Sequence, residues 1–285
     1  MSTPPLILRG LSEIAGEYDG AICDVWGVVH NGLTVFADAV AALKQFRATR
    51  GPVVLLSNAP RPVSVVEQQF ERLGVPADCY DKIVTSGVAT RDALERMSQG
   101  RTLSLLHIGP ERDRGIFEGL PIACVGEEEA EAVLCTGPWH DDVETPEDYR
   151  PLLTHLKQRG LELLCANPDV VVQRGDRLIY CAGALAQLYE EIGGTSVYFG
   201  KPHPRVYEMS FAALAAAGRR PARPLALGDG LATDIHGANR MGLDAVFIAD
   251  GIHGADVPAL EPEPMKRFFE ARGADARAVL RRLVW

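Results

Sequence analysis

Four stretches of this sequence end an apolar run in residues that can handle charged oxygen atoms. In "AICDVWGVVHNG" (Ala21 to Gly32) a single carboxylate, Asp24, closes the run. An acid at the carboxyl edge of an open α/β sheet is placed to act on a ligand, and it can equally cap a turn. In "VVLLSNAPRP" (Val53 to Pro62) the run ends in Ser57 and Asn58, with Arg61 at a proline-flanked helix start. A hydroxyl, backbone N–H groups and a helix N-terminus together suit an anion such as phosphate, although Ser and Asn also suit a plain N-cap. In "VYFGKPHPRVYE" (Val197 to Glu208) Lys201 sits on a short loop stiffened by two prolines, a point charge able to hold an anionic nucleophile and phosphoryl oxygens. In "PLALGDGLATDIHGANRMGLDAVFIADG" (Pro224 to Gly251) Asp229 and Asp234 group two carboxylates on one turn, which suits a hard, oxygen-preferring cation such as Mg²⁺.

These residues need elements that bring them to one edge. Short apolar runs alternate with stretches of helical period, the pattern of an α/β fold whose parallel sheet is covered by helices. Strands are expected at 21–25, 53–57, 83–85, 103–108, 132–135, 161–166, 197–199, 225–228 and 245–249. Helices are expected at 37–49, 62–73, 88–97, 146–159, 182–192, 204–217 and 233–241. The chemically loaded stretches lie before Gly87 and after Gly193, so the middle reads as an insert. The expected division is a core from 1–86 and 196–285, interrupted by a second α/β domain over 87–195.

Composition sets the surroundings. With 285 residues, 47% apolar and 24% charged, the chain can bury a large core. No run approaches the roughly 18 apolar residues of a membrane-spanning helix, and the first twenty residues lack a signal-peptide pattern, so a cytoplasmic location and no membrane partner are expected. A net charge of −9 with the signs mixed argues against a sequence-independent nucleic-acid binder. The acidic "EEEAEA" (Glu127 to Ala132) is expected to be solvated and helical. Six cysteines without a CxxC pair, most of them inside apolar runs, read as buried reduced thiols.

Taken in order, an Asp, a Ser, a Lys and an acidic pair, each ending a strand, resemble the four motifs of the haloacid dehalogenase superfamily. "GKPHPRVYE" and the stretch from Gly228 to Gly251, with "TSGVATRDAL" (Thr85 to Leu94) and "LCANPDVVV" (Leu164 to Val172), resemble its subclass IIA, which contains nucleotide, sugar and p-nitrophenyl phosphate phosphatases. The resemblance implies a Rossmann-like parallel-sheet core with an inserted α/β class II cap. It also implies a Mg²⁺-dependent phosphohydrolase acting on a small phosphate monoester. Asp24 would then be the nucleophile that forms an aspartyl-phosphate. Ser57 and Asn58, beside Arg61, would hold the phosphoryl oxygens, and Lys201 would screen nucleophile from substrate. Asp24, Asp229, Asp234 and the backbone carbonyl of Trp26 would hold Mg²⁺. Substrate choice would lie in the cap, where Asn167 and Asp169 of "CANPD" are candidates for facing the cleft or else form a polar turn. "GPWHDD" (Gly137 to Asp142) is a weaker candidate. Relatives with this cap often form homodimers, and no stripe in this sequence marks an interface.

Trp26 departs from the pattern. The phosphatases of the superfamily carry a second Asp two residues after the nucleophile, which protonates the leaving group and deprotonates the attacking water. An indole N–H only donates a hydrogen bond. Three readings follow: a phosphatase with reduced acid–base help or another proton carrier, a carbon–halogen hydrolase, or a degenerate phospho-ligand-binding protein. His30, in the same loop and with a side chain that titrates near neutrality, is the candidate carrier; packing is its other role.

Overall fold

The apolar runs become strands in two parallel sheets, seen in a computed structural model that describes residues 3–174, 177–218, 220–252, 254 and 256–285. In chain order, β1 (Leu6–Ile7), β2 (Gly20–Asp24), β3 (Val53–Ser57) and β4 (Lys82–Thr85) open the first sheet. Then come β5 (Leu103–Ile108), β6 (Ile122–Cys124), β7 (Ala132–Cys135) and β8 (Glu162–Cys165) of the second sheet. A separate antiparallel hairpin follows, made of β9 (Val171–Arg174) and β10 (Arg177–Tyr180). Next, β11 (Thr195–Tyr198) completes the second sheet, and β12 (Pro224–Gly228), β13 (Ala245–Ile248) and β14 (Ala278–Leu280) return to the first.

The first sheet runs β1-β14-β13-β12-β2-β3-β4 and the second β11-β8-β7-β5-β6. Every pairing within them is parallel. Parallel sheets are covered on both faces, which is why these strands read as unbroken apolar runs. Alternate residues serve the two faces. Ala21, Cys23, Val53 and Leu55 pack with Leu43 and Phe46 of the helix Ala37–Thr49. Ile22, Val54 and Leu56 pack with Val206, Tyr207 and Leu214 of the helix Pro204–Ala216. In the second sheet Ile108, Val133 and Leu163 face Leu153, Leu156 and Leu185, while Leu103, Leu105 and Leu134 face Leu94, Ile116 and Phe117.

Three sequence expectations change. The expected boundary at 195/196 falls inside β11, which pairs with β8 in the second sheet, so the return to the first sheet comes after Tyr198. "EEEAEA" is a turn at Glu127 to Glu129 leading into β7, not a helix: three adjacent like charges have no basic partner one turn away, and the chain must bridge β6 to β7 in seven residues. The run 146–159 opens with a 3₁₀ turn, Pro146–Tyr149, before the helix Arg150–Gln158. Of the cysteines, five are buried free thiols and Cys124 is exposed.

The two sheets meet at Gly200. A Cβ there, at φ +144°, would come within 2.2 Å of Ser86 Oγ, 2.6 Å of Pro168 Cδ and 2.7 Å of Asn58 Oδ1. Only glycine lets loops from both sheets close on this point.

Candidate active site

β2, β3 and β12 lie side by side, so their carboxyl ends deliver Asp24, Ser57 and Asp229 to one cleft, where ligands of open α/β sheets bind. Lys201, on the loop after β11, enters the same cleft. Its ammonium contacts Asp24 Oδ1 and lies 2.7 Å from Asp234 Oδ1. All four charged groups are buried, Lys201 to 3% exposure and Asp24 to 7%. Carboxylate oxygens of Asp24, Asp229 and Asp234 lie within 4.8 Å of one another.

Crowding three carboxyls out of water has a clear electrostatic result. Burial first, then repulsion from Asp234, pushes Asp24 well above the usual carboxylate range, against the pull of Lys201. The same two causes push Asp229 up to about 7. Burial alone would depress Lys201, yet Asp234 and Asp24 outweigh it and hold the ammonium well above its ordinary value. One lysine leaves three carboxyls under-compensated. A divalent cation that takes oxygen ligands would relieve that imbalance, so the donor set fits Mg²⁺.

The loop after Asp24 is bound tightly to this nest. Gly27, at φ +81°, passes so close to Asp229 that a Cβ would fall 2.1 Å from its Oδ2. Asp229 Oδ2 also accepts the N–H of Ile252 at 2.7 Å, and Asp234 Oδ2 accepts that of Gly230 at 2.9 Å. Trp26 lines the cleft, its ring 5.0 Å from His30 and against Gly32.

His30 is the correction. Its ring is fully buried behind Trp26 and against Phe70, and it does not line the cleft. Its Nδ1 accepts the N–H of Gly32 at 2.9 Å, which places the proton of the neutral ring on Nε2, an atom with no hydrogen-bond partner among the described residues. Burial lowers its pKa to about 4. A neutral imidazole walled off by an indole is a packing residue rather than a proton carrier to the cleft.

The second candidate stretch closes the site from the β3 side. Ser57 Oγ accepts the N–H of Ala59 at 3.2 Å, and its own hydroxyl proton finds no acceptor among the described residues. Asn58 is committed to the framework. Its Oδ1 accepts the N–H of Lys201 at 2.8 Å, and its Nδ2 donates to the Lys201 carbonyl at 3.3 Å and to Asp169 Oδ1 at 2.9 Å. Asn58 thus ties the lysine loop to the second sheet's "CANPD" loop. Arg61 lines the cleft and pairs with buried Asp113 at 2.9 Å. Asn167 and Asp169 also line the cleft, and Asn167 Oδ1 accepts the N–H of Asp169 at 3.1 Å.

A solved haloacid dehalogenase-like hydrolase from Brucella suis is 43% identical to this chain, covering 98% of it and 100% of the other, with a TM-score of 0.85. The chain belongs to the haloacid dehalogenase-like family. The family model described as haloacid dehalogenase-like hydrolase matches residues 21–123, and a second HAD-hydrolase-like model matches 198–269. Between them they take in Asp24, Ser57, Lys201, Asp229 and Asp234. The chain is 26% identical over 262 residues to a D-glycerol 3-phosphate phosphatase of Mycobacterium tuberculosis, covering 90% of this chain and 70% of that one. A glycerol phosphate phosphatase of the same organism, solved with magnesium, is 25% identical at a TM-score of 0.64, covering 87% of this chain and 73% of the other.

Sequence reasoning singled out Arg61 and the "GPWHDD" loop on the remaining wall of the cleft but missed Arg112, Asp113 and Arg174. Arg112 and Asp113 follow β5, Asp141 lies in the "GPWHDD" loop and Arg174 ends β9. The first pair carried the same strand-end signal that marked Asp24; Arg174 follows only a short valine run, Val170 to Val172, in a half-exposed hairpin.

Proposed function

We propose that the protein is a Mg²⁺-dependent phosphohydrolase that cleaves a small phosphate monoester through an aspartyl-phosphate on Asp24. The observation that carries this reading is the buried nest of Asp24, Asp229 and Asp234 around Lys201, open to one cleft. Such a nest is costly to bury for structure alone, and a pure fold would not need it.

Asp24, Asp229, Asp234 and the Trp26 carbonyl would hold Mg²⁺, which when bound neutralises charge on the nucleophile and on the phosphoryl group. In this reading Lys201 orients Asp24 and, together with the bound cation, favours its ionised form. Ser57 Oγ–H, with Arg61 alongside, binds phosphoryl oxygens, while Asn58 holds the lysine loop in place. The Asp24 carboxylate attacks phosphorus, the bond from phosphorus to the ester oxygen breaks so that the alcohol leaves as its alkoxide and takes a proton from water, and water then hydrolyses the acyl phosphate to inorganic phosphate and free Asp24. The segment between 87 and 198 acts as the cap, and Asn167 and Asp169 present its polar face to the leaving group. With Trp26 in place of an acid, the leaving oxygen departs without a proton from position 26. Good leaving groups such as p-nitrophenolate are therefore favoured.

The test is phosphate release from p-nitrophenyl phosphate and sugar and nucleotide monophosphates. Release that needs Mg²⁺, stops with a chelator and is lost in Asp24→Asn is the expected result. Turnover that persists in Asp24→Asn or without any divalent cation would overturn the reading.

A further inference from the structure

The cleft that holds the carboxylate nest is also lined by three guanidiniums. Arg61 pairs with Asp113, while Arg112 and Arg174 both turn to a single oxygen, Asp141 Oδ2, Arg174 at 2.9 Å. All five side chains line the cleft. Counting these five, three positive charges face two negative ones, and the excess lies at Asp141, where one carboxylate oxygen serves two planar donors. Each of those guanidiniums has further N–H groups in a fork that fits a carboxylate or phosphate. Burial tends to raise the Asp141 carboxyl, but Arg174 and Arg112 outweigh it and hold it below the usual range, so it stays ionised and the excess at this wall is one positive charge. The cleft has a volume of about 270 Å³, below the ~300–1,000 Å³ common for drug-sized ligands. A ligand with its phosphoryl group at Asp24 is therefore small and brings its other end near this wall.

We infer that Arg112 and Arg174 select phosphate esters whose leaving group carries a second oxyanion, a carboxylate or another phosphate. The inference rests on the phosphohydrolase reading and names its substrate class. The attraction acts on the ground state and the transition state alike, because the second oxyanion does not change charge in the reaction. Its effect falls on KM and kcat/KM more than on kcat.

The experiment compares matched esters under Mg²⁺: 3-phosphoglycerate against glycerol 3-phosphate for the carboxylate, and fructose 1,6-bisphosphate against fructose 6-phosphate for the second phosphate. In the native protein at least one charged member should lead its partner by about tenfold or more in kcat/KM, mostly through KM. Arg174→Gln and Arg112→Gln should bring that ratio toward one. Asp141→Asn should raise it, because it frees both guanidiniums; a wall that served structure alone would lose the ratio in this variant too. Ratios near one in the native protein, with p-nitrophenyl phosphate hydrolysed, would overturn the inference and leave the phosphohydrolase reading intact. No hydrolysis of any ester would remove that reading and this inference with it.

Discussion

Trp26 and His30 show what a residue's neighbours in sequence reveal and what they hide. That position 26 lacks an acid was legible from the letters alone, because indole has no titration to offer. That His30 could not supply one was not. Only three residues separate it from Trp26 in the chain, but the loop folds its ring behind the indole, where burial keeps it neutral. Side-chain direction in a turn is set by tertiary packing, here against Phe70, and no local pattern encodes it. Replacing Trp26 by Asp should restore proton transfer where the cleft can use it. The expected gain in kcat is up to about 10²–10⁴ for alkyl phosphates and less for p-nitrophenyl phosphate, whose leaving group needs little help. Steady-state kinetics on both ester types checks this. Equal rates in the variant would mean that the indole does more than occupy the place of an acid.

At the scale of elements, the interior strands other than the short β14 were readable because both of their faces are covered. β3, β5 and β7 begin and end at the residues expected from the sequence. The hairpin of β9 and β10 escaped, since its strands lie on the surface with mixed polarity and owe their pairing to each other. The helix Pro262–Glu270 escaped as well, although Met265, Phe268 and Phe269 stand at helical spacing and are buried. β5 also carries a titration. His107 Nε2 lies 3.0 Å from Thr136 Oγ1, its ring meets Phe117, and burial, aided by Arg114, lowers its pKa to about 4. The unfolded chain binds this proton near pH 6.5, so stability from the neutral ring is complete above that value and is lost as pH falls toward 4. The loss attributable to His107 is at most about 3 kcal/mol, less for the partial contact of the ring with solvent. Urea unfolding at pH 7 and pH 4.5 should show a smaller drop in His107→Gln than in the native protein; an equal drop would assign the pH dependence elsewhere.

For the whole molecule, function depends on two sheets closing on one cleft. The first sheet brings Asp24, Ser57 and Asp229 to its carboxyl edge, and the order of these strands was foreseeable only in outline, since a one-dimensional pattern does not say which strands are neighbours. The second sheet contributes Asp169 through Asn58 and the arginine wall through Asp141. That wall was legible only in fragments, because its parts come from four separate segments. The proposed function assigns a division of labour to this arrangement: the first sheet would grip the group common to all substrates, and the second would meet what differs among them. The proposed nucleophilic role of Asp24, without an acid–base partner at position 26, has a further consequence. Water then lacks a base when it attacks the acyl phosphate, so the second half of the reaction slows and the intermediate should accumulate during turnover. Mass spectrometry of protein quenched in acid during turnover of p-nitrophenyl phosphate with Mg²⁺ reads this directly. A phosphoryl adduct on the peptide that contains Asp24, absent from Asp24→Asn, is the predicted result; sustained hydrolysis with that peptide unmodified would contradict it.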